Sequence, residues 1–278
     1  MKKINVGLQL YSVKNALSED FYGTLKAVRD MGYEYVEFAG YHGKTAEEIK
    51  AILDELGLKC VSVHQSIDFY DADPEAAVKF LKTFGVKYNV IPWYPIEKLY
   101  GSSEWADTVA RFNKIAVLLK DNGMKLGYHN HDWEFTVVDG KYIEEHILEN
   151  VPDELIEPEL DTCWVKYAGV SPVEMINKYK GRVTLVHLKD FTCKQLAAGP
   201  AYALIGTDGA EIKSKRADNG FEFRPVGDGM QDFAPIIEAC RACGTELVVV
   251  EQDAPSMGLT ELESVKRSRE YLKNNFGI

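Results

Sequence analysis

The sequence predicts a single (β/α)8 TIM barrel over residues 1–278, with a long hairpin-like insertion after the seventh strand. Three observations predict it. Short apolar runs alternate eight times with segments of helical period, and no composition break or flexible linker divides them. The first strand runs into Tyr11-Ser12-Val13-Lys14, not into the glycine-rich turn of an open dinucleotide-binding sheet. Ionisable side chains gather at the carboxyl ends of the strands, whereas the opposite ends begin with ordinary residues such as Lys59, Tyr88 and Thr184.

Residues 4–10 read as the first buried strand, and Ser18 as the cap of a helix running through Leu25 and Val28 to a stop at Gly32. Residues 35–38 form the second strand. Thr45 and Glu48 have the spacing of a capping box and open a helix that ends near Gly57. Residues 59–64 are the third strand, followed by a helix with Asp73 as cap and Pro74 at its first position. The fourth strand, 88–91, ends in Pro92-Trp93-Tyr94-Pro95 and precedes a helix from about Ser103 to Asn122. Residues 124–127 lead into the fifth strand, with a helix through Ile143 and Ile147 behind it. Residues 156–160 approach Asp161 as the sixth, weakened by Pro158, which cannot donate to a ladder. Ser171, Pro172 and Glu174 start the next helix; 183–188 and 246–251 are the seventh and eighth strands, and Thr260 with Glu263 caps the last helix. The stretch 191–229 interrupts the alternation. Its segments 202–205 and 221–224 read as hairpin arms, and because it leaves the carboxyl face it is expected to cover the site.

A hydrophobic content of 46% suits a large core, and a formal charge of -11 argues against nucleic acid, whose binding rests on Lys and Arg neutralising phosphates. No apolar run approaches the length that spans a bilayer, so no membrane role is expected. The five cysteines make no disulfide framework, and the first residues lack the apolar core of a signal peptide; a reduced, cytoplasmic protein is expected. Cys240 and Cys243 have redox spacing but fall at the carboxyl end of a helix, where a thiolate gains nothing, and read as structural.

Chemistry concentrates at Tyr128-His129-Asn130-His131-Asp132-Trp133-Glu134-Phe135, where strand alternation puts His129 and His131 on one face. The other strand ends contribute Gln9, Tyr11, Glu37, His64, Trp93, Asp161, Trp164, His187, Lys189, Asp190 and Glu251. Carboxylates and imidazoles converging from four strands suit a divalent cation such as Mn²⁺, Mg²⁺, Co²⁺ or Zn²⁺. Asp161, His187 and Glu251 are the evident ligands. Glu134 is favoured as the fourth, with His129 as the alternative.

The segments 160–164, 186–190, 226–229 and 250–253, together with the histidine-rich stretch, resemble the sugar phosphate isomerase/epimerase superfamily of xylose-isomerase-like barrels. The resemblance implies a metal held by Glu, Asp, His and Glu from strands five to eight, the last three falling on Asp161, His187 and Glu251. The strand-end glutamate is replaced by His129, so either Glu134 reaches back to the metal or it is free to act as a base. The implied function is a metal-dependent sugar isomerase or epimerase that abstracts a proton alpha to a carbonyl through an enediolate. Glu251 is cast as ligand and base, Glu134 as opposing acid/base, and His131 and Lys189 as donors to substrate oxygens. Tyr11, His64, Trp93, His129 and Trp164 complete the sugar-binding wall. A lyase or dehydratase acting on a keto-sugar or oxidised glycoside uses the same site and is the alternative; a non-catalytic sugar-binding barrel is the reading of another class. The expected partner is a small sugar or sugar derivative, and a homo-oligomer is left open.

Overall fold

The computed structural model describes residues 4–197 and 217–278. Eight parallel strands close into a barrel: β1 (Asn5–Gln9), β2 (Tyr35–Phe38), β3 (Lys59–His64), β4 (Tyr88–Ile91), β5 (Lys125–His129), β6 (Ile156–Asp161), β7 (Leu185–Leu188) and β8 (Leu247–Val250). Each pairs with its sequence neighbours, and β1 closes the ring against β8. Around it run α1 (Lys14–Glu19), α2 (Phe21–Asp30), α3 (Ala46–Leu56), α4 (Pro74–Thr83), α5 (Trp105–Asp121), α6 (Ile143–Glu149), α7 (Thr162–Tyr167), α8 (Pro172–Lys178), α9 (Phe233–Cys243) and α10 (Glu261–Phe276). The barrel is the predicted one.

The capping chemistry explains most helix starts. Thr45 with Glu48 and Thr260 with Glu263 form capping boxes, while Asp73 and Ser171 cap helices that carry proline in the first turn. Ser18 does not cap. Its hydroxyl donates back to the Lys14 carbonyl (2.8 Å) inside α1, and Asp20, which accepts from the Gly23 N–H, starts α2 instead. Pro158 is tolerated within β6, whose ladder to β7 begins one residue beyond it at Glu159. Cys240 and Cys243 are buried in α9 as structural residues.

One irregularity aims a functional side chain. The register of β2 against β3 slips between Val36 and Glu37, leaving Val61 unpaired and Glu37 opposite Ser62. A bulge of this kind changes which side chains face inward. It brings His64 into the barrel beside Glu37 (3.1 Å). Lower in the barrel, Val90, Leu185, Leu247 and Val249 form a dry plug beneath the polar layer. Gly127 makes room for it, since a Cβ there would lie 2.8 Å from Val90 Cγ2.

The second predicted arm of the insertion forms a strand. Glu222–Arg224 pairs antiparallel with Asp190–Thr192, an extension of β7, and residues 202–205 lie outside the described residues. Phe221 and Phe223 pack on Trp164, Tyr167 and Phe191 in a separate apolar cluster at the mouth of the barrel. Asp190 ties the return segment down by accepting from the N–H groups of Phe191, Gly227, Gly229 and Gln231 (2.9–3.1 Å).

Candidate active site

Ladder register assembles the site. His129 stands opposite Glu159 across β5 and β6, Asp161 opposite His187 across β6 and β7, and Gln9 opposite Glu37 across β1 and β2. Neighbouring inward residues in a parallel ladder lie side by side, so these pairs meet without any loop having to fold back. One ligand atom from each of His129, Asp161, His187 and Glu251 falls within 4.8 Å of the others. A second group, His64, His129, Glu159 and His187, meets the same criterion and shares both histidines with the first.

Two nitrogens and two carboxylate oxygens converging from four strands suit a divalent cation of intermediate softness. Asp161 supports that fit. Its Oδ1 accepts from the Cys163 N–H (2.8 Å), whereas its buried Oδ2 accepts no hydrogen bond among the described residues, with Lys189 Nζ at 3.5 Å and His129 Nε2 at 3.6 Å. A buried anionic oxygen left in that state is costly unless a cation meets it.

The electrostatics are extreme for a barrel interior. Asp161, Glu251 and Asp253 crowd around one amine, Lys189, whose Nζ lies 2.6 Å from Asp253 and 3.1 Å from Glu251, while Glu37 and Glu159 lie against the histidines below. Burial works to lower the Lys189 pKa, but Asp253, Glu251 and Asp161 outweigh it and hold the ammonium well above its ordinary range. For Glu251, burial is outweighed by Lys189 and His187, which keep the carboxylate ionised. Burial is the largest cause at Asp161, pushed up to about 7 with help from Glu251 and Asp253, and at His129, driven down to about 3 with help from His187 and His64. A neutral His129 offers a lone pair, the form that binds a metal.

Above these groups opens a cavity of about 260 Å³ lined by Tyr11, Ala39, His64, Pro92, Trp93, His129, His131, Lys189, Glu251 and Asp253. Tyr11 sits at the rim with the Lys14 amine over its ring (3.8 Å). Trp164 is not part of this wall. It is fully buried behind Lys189, whose amine lies 5.2 Å from its ring centroid, and it stacks on Phe221.

Glu134 is also elsewhere. Its Oε1 accepts from the Tyr128 hydroxyl (2.9 Å) and its Oε2 from the His131 N–H (2.7 Å), behind the β5 end and outside both candidate ligand groups. Tyr128 alternates outward from His129 and draws the carboxylate with it. The strand-five member of the cluster is therefore His129. Glu159 was missed by reading only the last residue of each strand; stepping back two positions from Asp161 along the inward face would have found it. Asp253 was visible only as part of a motif.

The sequence profile of the xylose isomerase-like TIM barrel family matches residues 25–275. An inosose dehydratase of Clostridium botulinum (strain Eklund 17B / Type B) is 31% identical over 282 residues, covering 91% of this chain and 90% of that protein. An inosose dehydratase of Clostridium perfringens (strain 13 / Type A) is 26% identical, covering 89% and 87%. A sugar phosphate isomerase/epimerase of Parabacteroides distasonis superposes with a TM-score of 0.75 at 23% identity, covering 99% and 95%, a likeness of fold. Sequence, topology and inward-facing residues agree: the chain belongs to the xylose isomerase-like TIM barrel family.

Proposed function

We propose that this protein is a metal-dependent lyase that dehydrates a polyhydroxylated, uncharged ketone of inosose type. The observation that carries the reading is that the cavity's carboxylates and its one amine, Lys189, stand on one side, while the far side offers imidazoles but no carboxylate. The carboxylates, Glu251 and Asp253, both follow β8, and the diametrically opposite strand, β4, presents Pro92 and Trp93. Epimerisation requires acid/base groups on both faces of the reacting carbon, and Glu134, expected to supply the second, is withdrawn behind Tyr128. Elimination needs base and acid on one side only. The dehydratase relatives favour the same reading over the isomerase or epimerase expected from sequence.

Asp161, His187, Glu251 and His129 would hold the cation, which when bound polarises a ketone oxygen and lowers the cost of an adjacent carbanion. Glu251, kept ionised, takes the proton alpha to the carbonyl. The electron pair left behind forms an enediolate, whose collapse breaks the C–O bond one carbon further on. Lys189 Nζ donates a proton to the departing hydroxyl, so that water leaves, and Asp253 at 2.6 Å holds that amine in place. The buried Trp93 Nε1, without a hydrogen-bond partner among the described residues, is a donor for a substrate hydroxyl. An excess of carboxylates over Lys189 disfavours a phosphorylated substrate, whose charge would add to theirs.

The test is incubation of the chelated and the Mn²⁺-, Co²⁺- or Zn²⁺-loaded protein with inososes, keto-glycosides and ketoses, with products read by mass spectrometry. Metal-dependent loss of water from an inosose is expected. Conversion to an isomer of unchanged mass would return the isomerase reading, and no metal uptake would favour a binding barrel.

A further inference from the structure

Beneath the candidate ligands lies a girdle of side chains that the proposed reaction does not use. Glu159 faces inward two residues before Asp161, fully enclosed. Its Oε2 lies 3.0 Å from His129 Nδ1, 3.2 Å from His187 Nε2 and 2.6 Å from His64 Nε2. Glu37 Oε1 backs it up at 2.9 Å from His187 Nε2 and 3.1 Å from His64 Nε2, and is itself anchored by Gln9 Nε2 at 2.7 Å. The remaining nitrogens face upward: His129 Nε2 lies 3.6 Å from Asp161 Oδ2, and His187 Nδ1 lies 3.0 Å from Glu251 Oε2.

We infer that Glu159 is a positioning residue, a single buried carboxylate oxygen that sets both histidine ligands at once, and this rests on the metal-dependent reading above. An imidazole that binds a cation through one nitrogen carries its proton on the other, and that N–H needs an acceptor. Ionised carboxylate accepts and cannot donate, so Glu159 holds the N–H groups of His129 Nδ1 and His187 Nε2 downward and leaves His129 Nε2 and His187 Nδ1 for the metal. Two ligands from different strands thereby share one reference atom. His64 completes the arrangement by bridging Glu159 and Glu37, with its ring parallel to that of His187 (6° between planes).

A glutamine at 159 has the same size but only a neutral amide oxygen to hold the three imidazole nitrogens that meet Oε2, and it places an NH2 where Oε1 has no hydrogen-bond partner among the described residues. The experiment compares the whole chain with Glu159→Gln and Glu159→Asp, the latter keeping the charge but withdrawing it by one methylene. Glu157→Gln is the control. It removes a carboxylate from the same inward face of β6, two residues deeper, where Glu157 pairs with Lys125 (2.6 Å). Each protein is stripped with chelator, titrated calorimetrically with Mn²⁺ and Co²⁺, and its Co²⁺ absorption spectrum recorded. Expected are one equivalent per chain throughout, affinity weakened about 10–100-fold with a changed Co²⁺ spectrum in both Glu159 variants, and wild-type behaviour in Glu157→Gln. Wild-type affinity and spectrum in either folded Glu159 variant would overturn the inference. So would two equivalents in the wild type with one lost on substitution, because Glu159 would then be a ligand of a second cation. No metal uptake by the wild type would instead overturn the metal-dependent function on which the inference stands.

Discussion

Replacing Glu134 by glutamine should stabilise the protein at neutral pH while leaving its metal in place. Burial pushes the Glu134 carboxyl up to about 8, against an ordinary value of 4.5. The unfolded chain therefore releases this proton near pH 4.5 and the folded chain near pH 8. Between those values the folded state binds more protons, so the stability associated with this group is fully present below pH 4.5 and is lost as pH rises through 8. At pH 7 the interval above the unfolded value is 2.5 units, worth about 3 kcal/mol at roughly 1.4 kcal/mol per unit. Glutamine mimics the protonated acid, accepting from the His131 N–H through its oxygen and meeting Tyr128 Oη with its amide. Allowing about 1 kcal/mol for imperfect replacement of one hydrogen bond, Glu134→Gln should gain about 2 kcal/mol at pH 7 and almost nothing at pH 5. Urea unfolding at pH 5, 7 and 8.5 measures the difference. Glu144, also pushed up to about 8 by burial and by Glu134, leaves a residual slope in both proteins. Equal pH dependence in the two, or loss of metal from the variant, would refute the placement of Glu134 as a buried structural acid.

Asp161→Ala removes the cluster member whose buried Oδ2 lacks a hydrogen-bond partner among the described residues, and should abolish stoichiometric metal uptake by elemental analysis while circular dichroism remains that of the barrel. Lys189→Met keeps an apolar side chain of similar length but deletes the amine that lies over the Trp164 and Phe223 rings and acts as the proton donor, so kcat should fall about 10²–10⁴-fold; a fall of less than tenfold would count against Lys189 as the acid. Asp190→Ala strands the Phe191 N–H and three backbone donors of the return segment, a loss of about 3–5 kcal/mol measurable by denaturant unfolding.

The barrel was legible because its signals are local. Capping boxes at Thr45 and Thr260, prolines at 74 and 172, and short apolar strands each declare themselves within a few residues. Ser18 misled because a hydroxyl within a helix can bond the carbonyl four residues back as readily as it caps. The pairing of Glu222–Arg224 with Asp190–Thr192 is a contact across some thirty residues and leaves no periodic trace in either segment. In the site, strand ends located Asp161, His187, Glu251 and His129, all brought within ligand distance of one another. Glu134 could not be placed from spacing, since its position depends on the three-residue 3-10 turn Trp133–Phe135 and on the outward Tyr128. Nor could the inward turn of His64, which follows from the register slip at Val36/Glu37.

The measurement that bears most directly on the central claim is solvent deuterium incorporation during turnover of an inosose by the metal-loaded wild type and by Glu251→Gln. Expected is a dehydrated product carrying solvent deuterium at the carbon that lost the hydroxyl, where the enol left by elimination is reprotonated, with product and label both reduced about 10²–10⁴-fold in the variant. Undiminished label and dehydration in Glu251→Gln, or an epimer formed without loss of water, would contradict that claim.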